Sequence, residues 1–225
     1  MQTDINKVIF KEKLNIENPV IFDIGTFDGN DSLEFLNLFD DPVIYAFEAD
    51  DRSINLFNSH VGESPIQLIK TALADVDGHI TFYKSDSDTR KHKRHNHEKT
   101  WSASSSIKKP NDHINIFPDI QFGNSVKVKS TKLDTWMIGK DISKIDIMWV
   151  DVNGGEEEFL SGGIDTITNK VKYLYIEFNA VDGRQLYNEC LTKEDIKNKL
   201  PNFKELGTFN FMGNFGNVLL ENKNI

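Results

Sequence analysis

The sequence predicts an α/β fold: a mostly parallel, doubly wound sheet with an antiparallel hairpin at its C-terminal edge. Three observations lead there. Five short, near-continuous apolar runs, rich in β-branched and aromatic residues, punctuate the 225-residue chain, as strands buried on both faces do. Segments of helical spacing alternate with them, the pattern of strand–helix–strand units. The C-terminal third closes on two runs separated by Gly213 and Gly216, which reads as a hairpin.

In chain order, "PVIFDI" (19–24) is the first strand, and "NDSLEFLNLF" (30–39) follows with apolar residues at 33, 35, 36 and 39, near helical spacing. "PVIYAFE" (42–48) is the second strand; "DRSINLFNSHV" (51–61) is a helix opening on Asp51 as N-cap candidate. "PIQLIKTAL" (65–73) is the third strand, "KIDIMWVDV" (144–152) the fourth, "EEEFLSGGIDTI" (156–167) a helix and "VKYLYIEF" (171–178) the fifth strand. "FKELGTFNFMGNFGNVLLEN" (203–222) forms the hairpin. The alternation is broken over residues 84–113, which are polar, basic and serine-rich. A long loop inside one domain is usually functional or disordered, so this one is expected to lie over the site as a lid or substrate loop, poorly ordered in part. No repeat or Pro/Gly-rich linker divides the chain, so residues 1–225 read as one domain.

Composition narrows the function classes. Apolar residues at 38% and charged residues at 27% describe a globular chain. There is no apolar run of membrane-spanning length. The N-terminus lacks an apolar signal core, so a cytoplasmic protein is expected. The single cysteine, Cys190 in a polar sequence setting, excludes a disulfide framework and a Cys-based zinc site and reads as a bystander. A net charge of -9 argues against nucleic acid as a partner. Locally, "RKHKRHNHEK" (90–99) holds five Lys or Arg residues against one Glu.

The stretch "PVIFDIGTFDGNDSLEFL" (19–36) suggests where the chemistry lies. In an open parallel sheet, ligands bind beyond the carboxyl ends of the strands where strand order reverses. Asp23 stands at such an end; Gly25 permits a sharp turn. Gly29 opens the next helix, where a small residue lets a ligand approach backbone N–H groups. The spacing D-x-G-x-x-x-G is not the dinucleotide fingerprint, which requires glycine at 27 and 30, where Phe27 and Asn30 stand. Glu48 ends the second strand 23 residues after Gly25, near the distance at which an acid reaches both ribose hydroxyls. Alone, either feature is weak: many turns hold two glycines, and Glu48 alone fits a solvated strand end. Together, they describe a nucleoside with a carboxylate at a helix start and no pyrophosphate, the outline of S-adenosylmethionine (SAM).

The chain resembles the FkbM family of SAM-dependent methyltransferases from about Val20 to about Leu220. The residues that carry the likeness are "VIFDIGTFDGNDS", "YAFEAD", "TALADVDGHITFY", "SASSSI", "VKVKSTKLDTW", "IDIMWVDVNGGEEEFLSG" and "YLYIEF". The resemblance implies a Rossmann-like class I methyltransferase fold and O-methylation of a sugar, glycan or small hydroxylated metabolite. The cofactor set expected on this reading is Asp23, Gly25, Thr26, Gly29, Ser32, Glu48, Ala72 and Asp151. The family often reads K-x-D-x-E-G-x-E at the fourth strand. Here, Trp149 takes the lysine position and Asn153 that of the first glutamate, while Asp151, Gly154 and Glu156 remain. The departures point to a different acceptor or to lost activity.

Methyl transfer to a hydroxyl needs alignment and a base. Asp151, Glu156 and Glu177 lie at neighbouring strand or helix ends and are expected to share one crevice with Asp23 and Glu48. Asp151 is the expected base or metal ligand, with Glu156 or Glu177 assisting; a helix-dipole acid at 156 and a plain strand terminus at 177 fit equally. Oxygen ligands from Asp151, Glu177 and Asn153 or Asn179 would suit Mg²⁺, though no spacing demands it. His92, His95 and His97 sit among cations, which disfavour a bound metal. The basic loop suits an anionic acceptor, or is simply solvated. The serines of "SASSSI" (102–107) suit a polyol or a flexible hinge. Two other classes stay open: an NAD-type oxidoreductase or epimerase, and a non-catalytic nucleoside-binding domain. Oligomeric state is not legible.

Overall fold

The computed structural model of the protein describes residues 5–14, 18–87, 101–179, 184–213 and 215–225. The strands are β1 (Val20–Ile24), β2 (Val43–Glu48), β3 (Gln67–Lys70), β4 (Ala72–Leu73), β5 (Gly78–Ser87), β6 (Ile120–Thr131), β7 (Ile145–Val150), β8 (Val171–Asn179), β9 (Phe203–Phe209) and β10 (Phe215–Asn222). The helices are α1 (Val8–Leu14), α2 (Asn30–Leu38), α3 (Asp51–Val61), α4 (His113–Ile116), α5 (Leu133–Trp136), α6 (Glu156–Lys170) and α7 (Lys193–Lys199).

Seven strands form the main sheet in the order β3-β2-β1-β7-β8-β10-β9. From β3 to β8 every pairing is parallel; β10 runs antiparallel to both β8 and β9. This is the expected sheet with its antiparallel edge hairpin. The chain winds from β1 through β2 to β3, then crosses back to β7 on the other side of β1. Strand order therefore reverses beside β1, and a crevice opens beyond the carboxyl ends there.

Both faces are covered, which is why the strands read as unbroken apolar runs. On one face Ile21, Ile44, Ile147, Trp149 and Tyr175 pack against Phe10 of α1, Phe35 of α2 and Phe57 of α3. On the other face Phe22, Phe47, Val150, Leu174 and Val218 pack against Leu133 of α5, Phe159 and Ile167 of α6 and Ile196 of α7. Among the described residues no helix is long and apolar enough to cross a membrane.

Three expectations are corrected. The run at 65–73 is two strands, β3 in the main sheet and β4 in a second, three-stranded sheet of order β4-β6-β5. Helix α3 is capped by Asp50, whose carboxylate accepts the Arg52 N–H, rather than by Asp51; a side-chain acceptor one residue before the first turn is the normal N-cap. The polar stretch 84–113 is only partly a loop. Residues up to Ser87 belong to β5, and Ser102, Ser104, Ser105 and Ser106 are buried. Residues 88–100, with His92, His95 and His97 and the whole basic run 90–99, lie outside the described residues.

Candidate active site

The crevice holds a cavity of about 180 Å³ bounded by the ends of β1, β2, β4 and β7 and by residues from the serine-rich segment. Phe47, Ala72, Leu73 and Phe82 supply an apolar slot to its lining, and Gly25, Phe27, Asp28, Asp31, Glu48 and Asp151 also stand on the wall.

The β1–α2 turn fits the sheet because of its glycines. Gly25 has φ +82°, and a Cβ there would stand 1.9 Å from the carbonyl oxygen of Asp151. Only glycine allows that backbone conformation and that contact together. Gly29, also at φ +82°, does not line the cavity: its missing side chain makes room for Phe57 and Val61 of α3. The absence of a side chain there is what lets α3 pack close.

Glu48 is the acid of the cavity wall with the most backbone contacts. Its Oε2 accepts the Phe27 N–H at 3.0 Å, and its Oε1 accepts the N–H groups of Ala49 and Asp50 at 2.7 Å each. Burial outweighs those donors and pushes its pKa up to about 7. A carboxylate has about four acceptor sites, and three are taken. The bond from Phe27 pins that residue at φ +53°, which is uncommon outside glycine, and its ring lines the cavity.

Asp23 is brought to the same edge but not into the cavity. Its carboxylate is buried and its Oδ2 accepts hydroxyl bonds from Thr26 at 2.6 Å and Ser32 at 2.5 Å. Asp23 and Ser32 therefore brace the turn from behind, while Thr26 reaches the wall. Burial, and then the charge of Asp31, raise Asp23 to about 7.

Asp151 follows β7 and lines the cavity. Its side chain is exposed there, but the crevice walls surround it; limited hydration and then the Asp31 charge raise it to about 6. Glu156 and Glu177 do not share the crevice. Both are buried outside its lining, Glu156 in the first turn of α6 and Glu177 near the end of β8. Glu156 Oε1 accepts the Gly154 N–H at 3.2 Å and its Oε2 has no partner. Burial pushes Glu156 up to about 8, and burial followed by repulsion from Asp151 and Glu156 takes Glu177 well above the carboxylate range. Burial thus disfavours charge on the two deeper acids more than on Asp151.

The remaining wall comes from the serine-rich segment expected over the site. Ser102, Ala103, Ser105 and Ile107 close the cavity. Asn153 Nδ2 donates to the Ala103 carbonyl at 3.1 Å, the Ser106 hydroxyl donates to the Asn153 carbonyl at 2.6 Å, and the Tyr187 hydroxyl donates to the Ser104 carbonyl at 2.7 Å. On the other side Ser102 and Ser53 hydroxyls meet at 3.0 Å, and Ser105 donates to Asp50 at 3.1 Å. These serines fasten a wall; the hinge expectation is corrected. Cys190 is buried against Leu186 and Tyr187, its thiol raised to about 12, consistent with the bystander reading. Among the described residues no group of three or more His, Cys, Asp or Glu is placed to hold a metal ion, so Mg²⁺ gains no support.

Comparison with known proteins agrees with this geometry. The model of the methyltransferase FkbM domain matches residues 23–207. The 2-O-methyltransferase NoeI of Sinorhizobium fredii (strain NBRC 101917 / NGR234) is 32% identical over 206 residues, covering 91% of this chain and 80% of that protein. Among solved structures, methyltransferase FkbM from Methylobacillus flagellatus KT superposes with a TM-score of 0.52 at 12% identity, over 91% of this chain and 44% of that one. This chain thus spans less than half of that protein's length. Magnesium protoporphyrin IX methyltransferase (ChlM) from Synechocystis PCC 6803, with bound SAM, gives a TM-score of 0.51 at 10% identity over 96% of this chain and 76% of that one. At such identities the structural likenesses show the fold.

Proposed function

The chain belongs to the FkbM methyltransferase family, and from that premise we propose that it binds SAM in the crevice and O-methylates a hydroxyl of a sugar, glycan or small hydroxylated metabolite. One observation carries the reading: Asp28, Asp31, Glu48 and Asp151 all line the cavity, and among the described residues no Lys, Arg or His does. Such a site suits a cationic nucleoside, with its base in the apolar slot, a ribose hydroxyl on the one open acceptor site of Glu48, and its cationic end toward Asp31 and Asp151. The same carboxylates oppose the two negative charges of a dinucleotide pyrophosphate, which disfavours the NAD alternative.

When bound, the cofactor supplies a methyl group already activated on a sulfonium. The protein's part is placement, worth up to ~7–11 kcal/mol in favourable systems, and removal of the acceptor proton, worth ~10²–10⁴-fold. Asp151 is the group for the second task. Its pKa of about 6 leaves it ionised at neutral pH, whereas Glu156 and Glu177 are buried outside the cavity lining. Asp23, Thr26 and Ser32 keep the turn in shape; Gly25 lets β1 approach the Asp151 backbone; Ala72 shapes the slot. The anionic preference for the acceptor rests on residues 90–99, outside the described residues.

Calorimetric titration with SAM, S-adenosylhomocysteine and NAD tests the cofactor: the first two should bind at micromolar level, the third should not. Asp151→Asn should then abolish turnover over a panel of hydroxylated acceptors while sparing cofactor affinity. Binding without turnover of any acceptor by the native chain would favour the non-catalytic reading.

A further inference from the structure

Lys7 lies ahead of α1 and ahead of the segment matched by the family model, which begins at residue 23. Its ammonium is nevertheless set against the motif. It pairs with Asp31 and, at 2.5 Å, with Glu34 of α2, and sits 4.4 Å from the centroid of the Trp149 ring and 5.3 Å from that of Phe35. The Lys7 side chain is only 11% exposed although its partners Asp31 and Glu34 are 43% and 65% exposed. A mostly buried ammonium needs such partners, ionic or π. Trp149 is level with Asp23 across the β1–β7 ladder and stacks on Tyr175 at 3.9 Å. Asp31 lines the cavity.

We propose that Lys7 is a positioning residue of the methyl-transfer site: it clamps Asp31 at the cavity wall and supplies the positive charge that balances the motif acids Asp23 and Asp31. The inference rests on the cofactor reading only for its bearing on binding; the charge balance is a property of the free chain.

The groups that face Asp23 make the consequence specific. From its own turn and from α2 come the Thr26 and Ser32 hydroxyls and the Asp31 carboxylate; from ahead of α1 comes Lys7; its register neighbours Ala46 and Trp149 carry no charge. Asp31 raises the Asp23 pKa and Lys7 lowers it. Removing the ammonium therefore leaves both acids unbalanced.

The test is a ¹³C-carboxyl NMR titration of the unliganded full chain labelled at aspartate, for the native protein, Lys7→Met and Lys7→Arg. Methionine keeps an apolar stem against Trp149; arginine keeps the charge. The Asp23 midpoint should rise by ~0.5–1 pH unit in Lys7→Met and return to within ~0.2 unit in Lys7→Arg. The midpoint of the pH dependence of S-adenosylhomocysteine affinity should follow. Unchanged Asp23 midpoints in all three chains overturn the proposal, even if Lys7→Met melts at a lower temperature, since that would show packing alone. If the native chain binds no S-adenosylhomocysteine, the cofactor reading falls while the titration still decides the role of Lys7.

Discussion

Glu48→Gln is the sharpest perturbation the site offers. The native carboxylate meets three backbone N–H groups, two on Oε1 and one on Oε2. Glutamine can keep an oxygen toward Ala49 and Asp50, but its NH₂ then faces the Phe27 N–H, donor against donor. The variant loses one charge-assisted bond within the protein and the single acceptor site left for a ribose hydroxyl. A hydrogen bond to a charged group is worth ~1.5–3 kcal/mol, so nucleoside affinity should fall by ~10–150-fold at a pH where native Glu48 is ionised. Its pKa of about 7 adds a signature. Well below that value the native side chain is itself neutral, and the two proteins should approach each other. The assay is calorimetric titration with adenosine, which carries no charge of its own to confuse the comparison, at pH ~6 and ~8.5. Native affinity should climb between the two and the variant's should stay flat. Equal affinities at the higher pH would refute the ribose assignment, and a gap that does not change with pH would refute the ionisation argument.

Three further expectations follow from the same geometry. Gly25→Ala puts a methyl 1.9 Å from the Asp151 carbonyl at φ +82°, so β1 and β7 must separate; a loss of more than ~3 kcal/mol is expected, and a variant melting at the native temperature would contradict it. Asn153→Glu removes the amide donor to Ala103 and sets a carboxylate against that carbonyl, at φ +52° where asparagine is the better fit; urea unfolding should show a loss of ~1–3 kcal/mol. Stability should also fall as pH rises through neutrality. Asp23, Glu48 and Glu156 have folded values of about 7, 7 and 8 against ordinary values of 3.8, 4.5 and 4.5. The unfolded chain gives up these protons first, so the contribution is full below about pH 4 and lost by about pH 8. Acids with lowered values, such as Asp50 and Glu157, act only below that window. Scanning calorimetry should therefore record Tm dropping by more than ~10 °C between pH ~5 and ~8.5; a Tm that rises over that range would count against the buried acids.

The parts legible in the sequence were those that a single physical signal marks. β1, β2, β7 and β8 are covered on both faces, so their apolar runs locate them within a residue or two, and the hairpin follows from Gly213 and Gly216. β5 and β6 gave no such signal: β6 is exposed along most of its length, and exposed strands lack an apolar run. The break at Thr71 was hidden because residues 67–70 and 72–73 read as one stretch while serving different sheets. At the site, strand ends placed Asp23, Glu48 and Asp151 on one edge. Spacing along the chain does not say which side of a wall a carboxylate ends on, so Asp23, Glu156 and Glu177 were expected in a cavity they only support. The serine-rich segment was legible as lying over the site, but its fastening as a wall, and the place of Phe82 in that wall, come from contacts between distant stretches.

Asn153 holds both the Ala103 carbonyl and the Ser106 hydroxyl two residues beyond Asp151. The serine wall of the crevice and the Asp151 carboxylate thus hang from the same short piece of chain, so a substitution at Asn153 that loosens the wall also loosens the backbone that sets Asp151.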